Sequence, residues 1–167
     1  MNRVLVGFLF AAMLTLGCSG AAASTPLDDA KAAYLRHDYA KAAQFIRPLA
    51  ERGDADAEAR LGDLYARGLG VKQSYPEAAR WYRLGAVQGN ARAQNNLGLM
   101  YYYLGKPGGD GQHYVLSYMW YDVATAAKNP EAGINLKAAA ALLKPEQIAR
   151  ARDLARKCRA SRFTLCG

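Results

Sequence analysis

The chain has 167 residues, the length of one ordinary domain, and is 51% apolar and 22% charged. That apolar share is ample for a core, and strand-like alternation is scarce, which argues against a β fold. Lys and Arg number 22 against 14 Asp and Glu, a formal charge of +8 that favours acidic partners or anionic surfaces over basic ones.

Residues 1–23 read as an export signal. Arg3 supplies the basic start, and Val4 to Leu16 is an apolar run of 13 residues, too short for a typical spanning helix. Two processing routes compete. Ala21–Ala22–Ala23 offers a small-residue cleavage site before Ser24, leaving a soluble periplasmic or secreted product. Leu16–Gly17–Cys18 resembles the end of a bacterial lipobox, which would lipidate Cys18 and anchor the chain to a membrane. Thr15 stands where that pattern prefers leucine, so ordinary cleavage is favoured. Export makes nucleic acid an unsuitable partner despite the positive charge.

The remainder, 24–167, reads as one domain of eight helices. The predicted helices are Asp28–Arg36, Tyr39–Arg52, Ala55–Arg67, Tyr75–Gln88, Ala91–Leu104, Tyr114–Lys128, Pro130–Leu142 and Pro145–Ser161. Asp54, Asn90 and Asn129 occupy N-cap places, and Pro130 and Pro145 suit first helical turns. The connector Gly105–His113 is longer and richer in glycine than Gly68–Ser74.

Within this series the landmarks repeat. Leu61, Gly62 and Tyr65 return 36 residues on as Leu97, Gly98 and Tyr101. Tyr75–Ala78–Trp81–Tyr82 appears earlier as Tyr39–Ala42–Phe45–Ile46 and later as Tyr114–Ser117–Trp120–Tyr121. A period of this size marks stacked helical hairpins. Ala57, Leu61 and Tyr65 make one helical stripe, and Ala78, Trp81, Tyr82 and Ala86 another. A single hairpin cannot bury both, so neighbours must stack into a continuous core.

These residues resemble the Sel-1-like repeat family, a branch of the tetratricopeptide-repeat superfamily. The motif A-x-x-x-L-G-x-x-Y stands at Ala57–Tyr65, G-x-G-V at Gly68–Val71, and Y-x-x-A-x-x-W-Y-x-x-x-A at Tyr75–Ala86. The resemblance runs from about Asp38 to Ala132 and is most specific in the middle unit. Around it, His37 holds the usual glycine place of a tetratricopeptide turn. After Pro130, Lys137 and Ala140 replace the glycine and tyrosine, which identifies the last two helices as a capping pair. The resemblance implies an all-α superhelix of stacked antiparallel hairpins. It further implies an adaptor or scaffold for protein partners in the cell envelope, or else a cell-wall hydrolase or ligand-binding protein.

No catalytic set accompanies the repeat. G-x-S-x-G, H-E-x-x-H and the phosphate-loop motif are absent, and His37–Asp38 alone lacks the further ligands a metal needs. No cofactor is predicted. Cys158 and Cys166 close a short loop at the chain end. In an oxidising compartment they are expected to form a structural disulfide, the rivals being a metal site or a redox pair. Lys144, Arg150, Arg152, Arg156, Lys157 and Arg159 form a basic patch that could meet an anionic surface, or serve as a solvated helix face. In such superhelices the first helix of each hairpin lines the concave side. Its non-core positions are predicted as Asp56, Ala59, Asp63 and Ala66, followed by Arg92, Asn95, Leu99 and Tyr102. Leu99 and Tyr102 are expected to contact a partner, because no core demand for apolar groups is evident there. The dull alternative packs Tyr101–Tyr102–Tyr103 on the long connector.

Overall fold

The computed structural model describes residues 24–106, 108–109 and 111–166. The predicted signal segment and Cys18 lie outside the described residues. Eight helices follow: α1 (Pro26–Leu35), α2 (Tyr39–Glu51), α3 (Ala55–Arg67), α4 (Tyr75–Val87), α5 (Ala91–Leu104), α6 (Gln112–Ala126), α7 (Ala132–Ala140) and α8 (Pro145–Ala160). There is no strand among the described residues.

The helix starts follow local chemistry. Asp54 and Asn90 accept hydrogen bonds from the amides of Ala57 and Ala93 at 2.8 and 2.9 Å. Asn129 accepts from the amides of Glu131 and Ala132 at 3.0 and 3.1 Å in the turn ahead of α7, but that helix starts at Ala132 with Glu131 as its N-cap, two residues past the predicted Pro130. The first helix begins at Pro26, two residues ahead of the predicted Asp28, because Thr25 and Asp28 form a reciprocal capping box. Between α1 and α2, His37 adopts the left-handed backbone (φ 61°) that the usual glycine would supply.

Helices pair and the pairs stack: α1 with α2, α3 with α4 and α5 with α6 form hairpins, and α2 meets α3 as α4 meets α5. The result is a helical solenoid. Alternate residues of one helix serve different neighbours. Trp81 of α4 joins a cluster with Ala43 and Ile46 of α2. The next residue, Tyr82, joins a cluster with Leu97 of α5 and Trp120 of α6. Glycine permits this interlock. A Cβ on Gly62 would stand 2.6 Å from the Tyr82 ring, and one on Gly98 2.8 Å from the Tyr121 ring. The tyrosines of the second helices therefore lie in notches of the first helices.

The end of the chain differs from a fourth hairpin. Helices α7 and α8 each pack chiefly against α6 rather than against one another. Lys137 stands where the earlier hairpins have their glycine notch, and Ala140 where they have the tyrosine that meets an arginine of the preceding hairpin's second helix. Instead Val115, Tyr118 and Tyr121 of α6 fill the space between Ala139 and Ala151. The tail then folds back. Cys158 and Cys166 are disulfide-bonded, and Phe163 between them lies over the α4–α5 turn, where a Cβ on Gly89 would meet its ring at 3.0 Å.

Candidate functional site

Helices α3, α5 and α7 are the first members of successive units and lie side by side. Each turns its small and aliphatic stripe inward, which leaves a row of polar positions along their shared face. Asp63 is the centre of that row. Its Oδ1 accepts hydrogen bonds from the Tyr82 hydroxyl and from Asn96 Nδ2, both at 2.8 Å. Its Oδ2 pairs with the Arg92 guanidinium. One carboxylate thus joins α3, α4 and α5. Only 9% of Asp63 is exposed, and burial raises its pKa above the usual carboxylate value, against the opposing pull of Arg92. Burial, then the charge of Asp63, pushes the Tyr82 phenol far above its ordinary range, so it remains a donor.

The row continues along the face. Asn95 donates to Asn96 Oδ1 at 3.2 Å, and Asn135 of α7 donates to Asn95 Oδ1 at 3.0 Å. Asn129 donates to the Ala91 carbonyl at 3.3 Å. At the other side Arg60 and Asp56 pair at 2.9 Å. Two cavities open here. One of about 100 Å³ is lined by Lys31, Tyr34, Arg60, Asp63 and Arg92, and one of about 400 Å³ by Arg92, Asn95, Asn96, Asn129 and Glu131. Arg92, 48% exposed in its side chain, borders both. Amide, guanidinium and carboxylate groups in a row place hydrogen-bond donors and acceptors side by side on this face.

The structure divides the predicted surface. Asp56 and Arg92 lie on this face. Asp63 and Asn95 are buried and act through their partners, and Ala59 is fully buried. Leu99 and Tyr102 correct the expectation that no core demand exists at their positions. Both pack on the cluster of Val115, Tyr118 and Tyr121. Leu99 corresponds to Asp63 of the preceding unit, and there the interior takes an aliphatic group instead of a carboxylate. Tyr102 meets the ring of Tyr114 edge-on, at 5.8 Å between centroids. The alternative that packs Tyr101–Tyr102–Tyr103 on the long connector is not met either: Tyr102 packs on Tyr114 inside α6, Tyr101 packs on the cluster of Tyr82 and Trp120, and Tyr103 is 73% exposed.

The basic patch is largely engaged with its own helix and α6. Arg152 donates to the Tyr118 hydroxyl at 3.1 Å, Arg159 pairs with Asp122 at 3.2 Å, and Arg156 and Lys157 both pair with Asp153. These two cations hold the Asp153 carboxyl below its ordinary value. Lys144 and Arg150 are exposed. The expected pairing of Cys158 with Cys166 is present.

Sequence reasoning passed over Asn96, Asn135 and the role of Tyr82. It also missed a recurring contact. Arg47 of α2 donates to the Tyr65 hydroxyl at 3.0 Å, and Arg83 of α4 donates to the Tyr101 hydroxyl. Both partners repeat at the same interval of 36 residues, which was the available signal. No cluster of three or more His, Cys, Asp or Glu suited to a metal occurs among the described residues. His37 Nδ1 lies 2.6 Å from the Tyr39 hydroxyl, and Asp38 caps α2 by accepting from the Lys41 amide. No helix of the described residues is long and apolar enough to cross a membrane.

The Sel1 repeat family model matches residues 55–90 and 91–129, the units α3–α4 and α5–α6 with their turns. No curated protein matches the chain. Among solved structures, one similar fold is a protective antigen present in uropathogenic Escherichia coli strains displaying an SLR fold. The identity is 27% and the TM-score 0.69, over 83% of this chain and 31% of the antigen. Another is a Sel1 repeat protein from Oxalobacter formigenes, with 29% identity and a TM-score of 0.55, over 80% of this chain and 58% of that one. The chain thus spans less than two thirds of the length of either.

Proposed function

We propose that this Sel1 repeat protein is an exported scaffold or adaptor of the bacterial cell envelope that holds a protein partner along the α3–α5–α7 face. Sel1 repeats are generally used for protein–protein interaction and are typically scaffolds rather than catalysts. The observation that carries the reading is Arg92, tied to buried Asp63 and bordering two cavities. With one guanidinium nitrogen held by Asp63 and about half of the side chain still exposed, at 48%, Arg92 is preorganised for contact.

Export is supported by the apolar run Val4–Leu16 behind Arg3, and by a cysteine pair in bonding position, which persists in an oxidising compartment. Intact mass of the protein from its own host tests this part. The expected product starts at Ser24 and lacks two thiol hydrogens. A chain that retains residues 1–23 with free thiols contradicts export, and a start at lipidated Cys18 selects the anchored form.

Binding is tested by placing a photoactivatable amino acid at Arg92 or Glu131, with Gln44 on exposed α2 as the control. Illumination in the host should give discrete protein adducts from the first two positions and none from the third. Adducts from Gln44 alone, or from none of the three, contradict the assignment of the face.

A further inference from the structure

A second surface lies between α4 and α5, and it does not depend on the α3–α5–α7 face. Tyr75, Pro76 and Ala79 of α4 and Met100, Tyr103 and Leu104 of α5 line an open groove of about 520 Å³. That volume falls within the range of about 300–1,000 Å³ common to ligand sites. Tyr75, Tyr103 and Leu104 are 58%, 73% and 57% exposed. An apolar cluster of this kind is unusual on a surface with no partner.

The repeat explains why the groove is bare. Tyr75 is the opening landmark of its helix, as Tyr39 and Tyr114 are of theirs. Tyr39 is met edge-on by Tyr34, and Tyr114 by Tyr102. The residue of the preceding unit that corresponds to Tyr102 is Ala66, whose methyl group is too small to cover Tyr75. The middle unit therefore keeps the aromatic ring and lacks its cover.

Charge defines what could cover it. From Gly68 to Lys106 the chain carries Lys72, Arg80, Arg83, Arg92 and Lys106 against a single acid, Glu77, which pairs with Arg80. Arg83 follows Tyr75 and Ala79 on the same stripe of α4 and reaches across to Tyr101 of α5. Lys106 lines the adjoining cavity, which shares Leu104 with the groove. An apolar floor is thus bounded by a cation towards each end. We propose that this groove docks an acidic peptide segment of a partner protein, with aliphatic or aromatic side chains on the floor and carboxylates towards Arg83 and Lys106. The Arg83 guanidinium and Lys106 ammonium supply direction and on-rate, and the anchors supply most of the affinity.

The test uses the full chain with its disulfide intact. Random dodecapeptides displayed on phage are selected on it, after subtraction against the Tyr103→Ser/Leu104→Ser double variant. Both side chains are mostly exposed, and circular dichroism checks that this variant keeps the helical content of the parent. The expected consensus combines Asp or Glu with large apolar residues. A synthetic peptide of that consensus should lose at least about tenfold in affinity on Leu104→Ser. Lys106→Glu should weaken it as well, and so should a rise in salt from about 50 to about 300 mM. Arg92→Ala should leave it unchanged, which separates this groove from the other face. No variant-sensitive peptides, a basic consensus, or binding indifferent to Lys106→Glu and salt would overturn the proposal. So would a dimer of the chain that the double variant dissociates, since a second copy would then be the occupant. Binding to anionic phospholipid vesicles that the same variants abolish, without peptide binding, would overturn it in favour of a lipid surface.

Discussion

Asp63 carries more of the structure than its place on a helix suggests. A buried carboxylate is tolerated when its oxygens are matched, and here Tyr82, Asn96 and Arg92 match them. Asp63→Ala leaves the buried Tyr82 hydroxyl without its acceptor and should cost about 1–3 kcal/mol in urea unfolding. Adding Tyr82→Phe should recover part of that loss, and strictly additive losses would mean the bond contributes nothing. The pH dependence has a definite sign. The pKa of Asp63 is raised in the folded state above 3.8, chiefly by burial. The folded chain therefore holds that proton to higher pH than the unfolded chain does. From about pH 3.8 up through the folded value, this group makes stability fall as pH rises, and Asp63→Asn should remove that contribution. An unchanged stability-versus-pH slope would contradict the burial. Gly62 gives a prediction of opposite character to ordinary helix propensity. Gly62→Ala should destabilise by about 1–3 kcal/mol through the Tyr82 ring, whereas Gly133→Ala meets nothing within 4 Å and should be neutral or stabilising by up to about 1 kcal/mol. Much at this scale was legible, since the glycines and tyrosines announced their places by repetition. Asp63 was not, because a helical wheel assigns a carboxylate to solvent. It does not register that the Tyr82 ring takes its hydroxyl inward and needs an acceptor there. Leu99 misled for the same reason: the position looked superficial, yet it faces the interior in both units.

Single helices owe their limits to caps and their neighbours to side-chain size. The eight helices of the described residues were located in the sequence because Asp54 and Asn90 recur at helix starts, Asn129 stands in the turn ahead of α7, and glycine or proline marks the breaks. The sequence did not foretell that α7 and α8 would share α6 instead of forming a hairpin. That outcome goes with Lys137 in the glycine place, where no notch is left for a ring of the next helix, and such a fit is three-dimensional. The tail was legible as a disulfide loop but not as a clasp. Phe163 packs with the cluster that holds Tyr82 and Trp120, and against the turn at Gly89. The Cys158–Cys166 bridge thus ties the end of α8 to the junction of the two central units. Cys158→Ser/Cys166→Ser should lower stability by about 2–3 kcal/mol, the loop-entropy value for so short a closure. Amide exchange in the oxidised and doubly substituted proteins should differ most at residues 159–166 and around Gly89. A change spread evenly over α1 and α2 would contradict the clasp.

At the scale of the molecule, one physical idea joins the fold to its use. Each helix divides its side chains between two neighbours, as α4 does when Trp81 faces α2 and Tyr82 faces α5 and α6. Units so divided have no complete core of their own and gain one only by stacking. Stacking in turn lines up α3, α5 and α7 and creates the polar face that no isolated hairpin possesses. Asp63, Arg92 and Asn96 belong to two different units, so the face and the fold stand or fall together. The period of the landmarks carried the architecture in the sequence. The binding face was only partly visible, because it depends on pairings between units. The most direct test is the helix content of the isolated unit 55–90, measured by far-ultraviolet circular dichroism beside the full chain. The account predicts a peptide that is mostly unfolded and melts without cooperativity, next to a full chain that is helical and melts in a single transition. A 55–90 peptide that is helical and melts cooperatively by itself would contradict it.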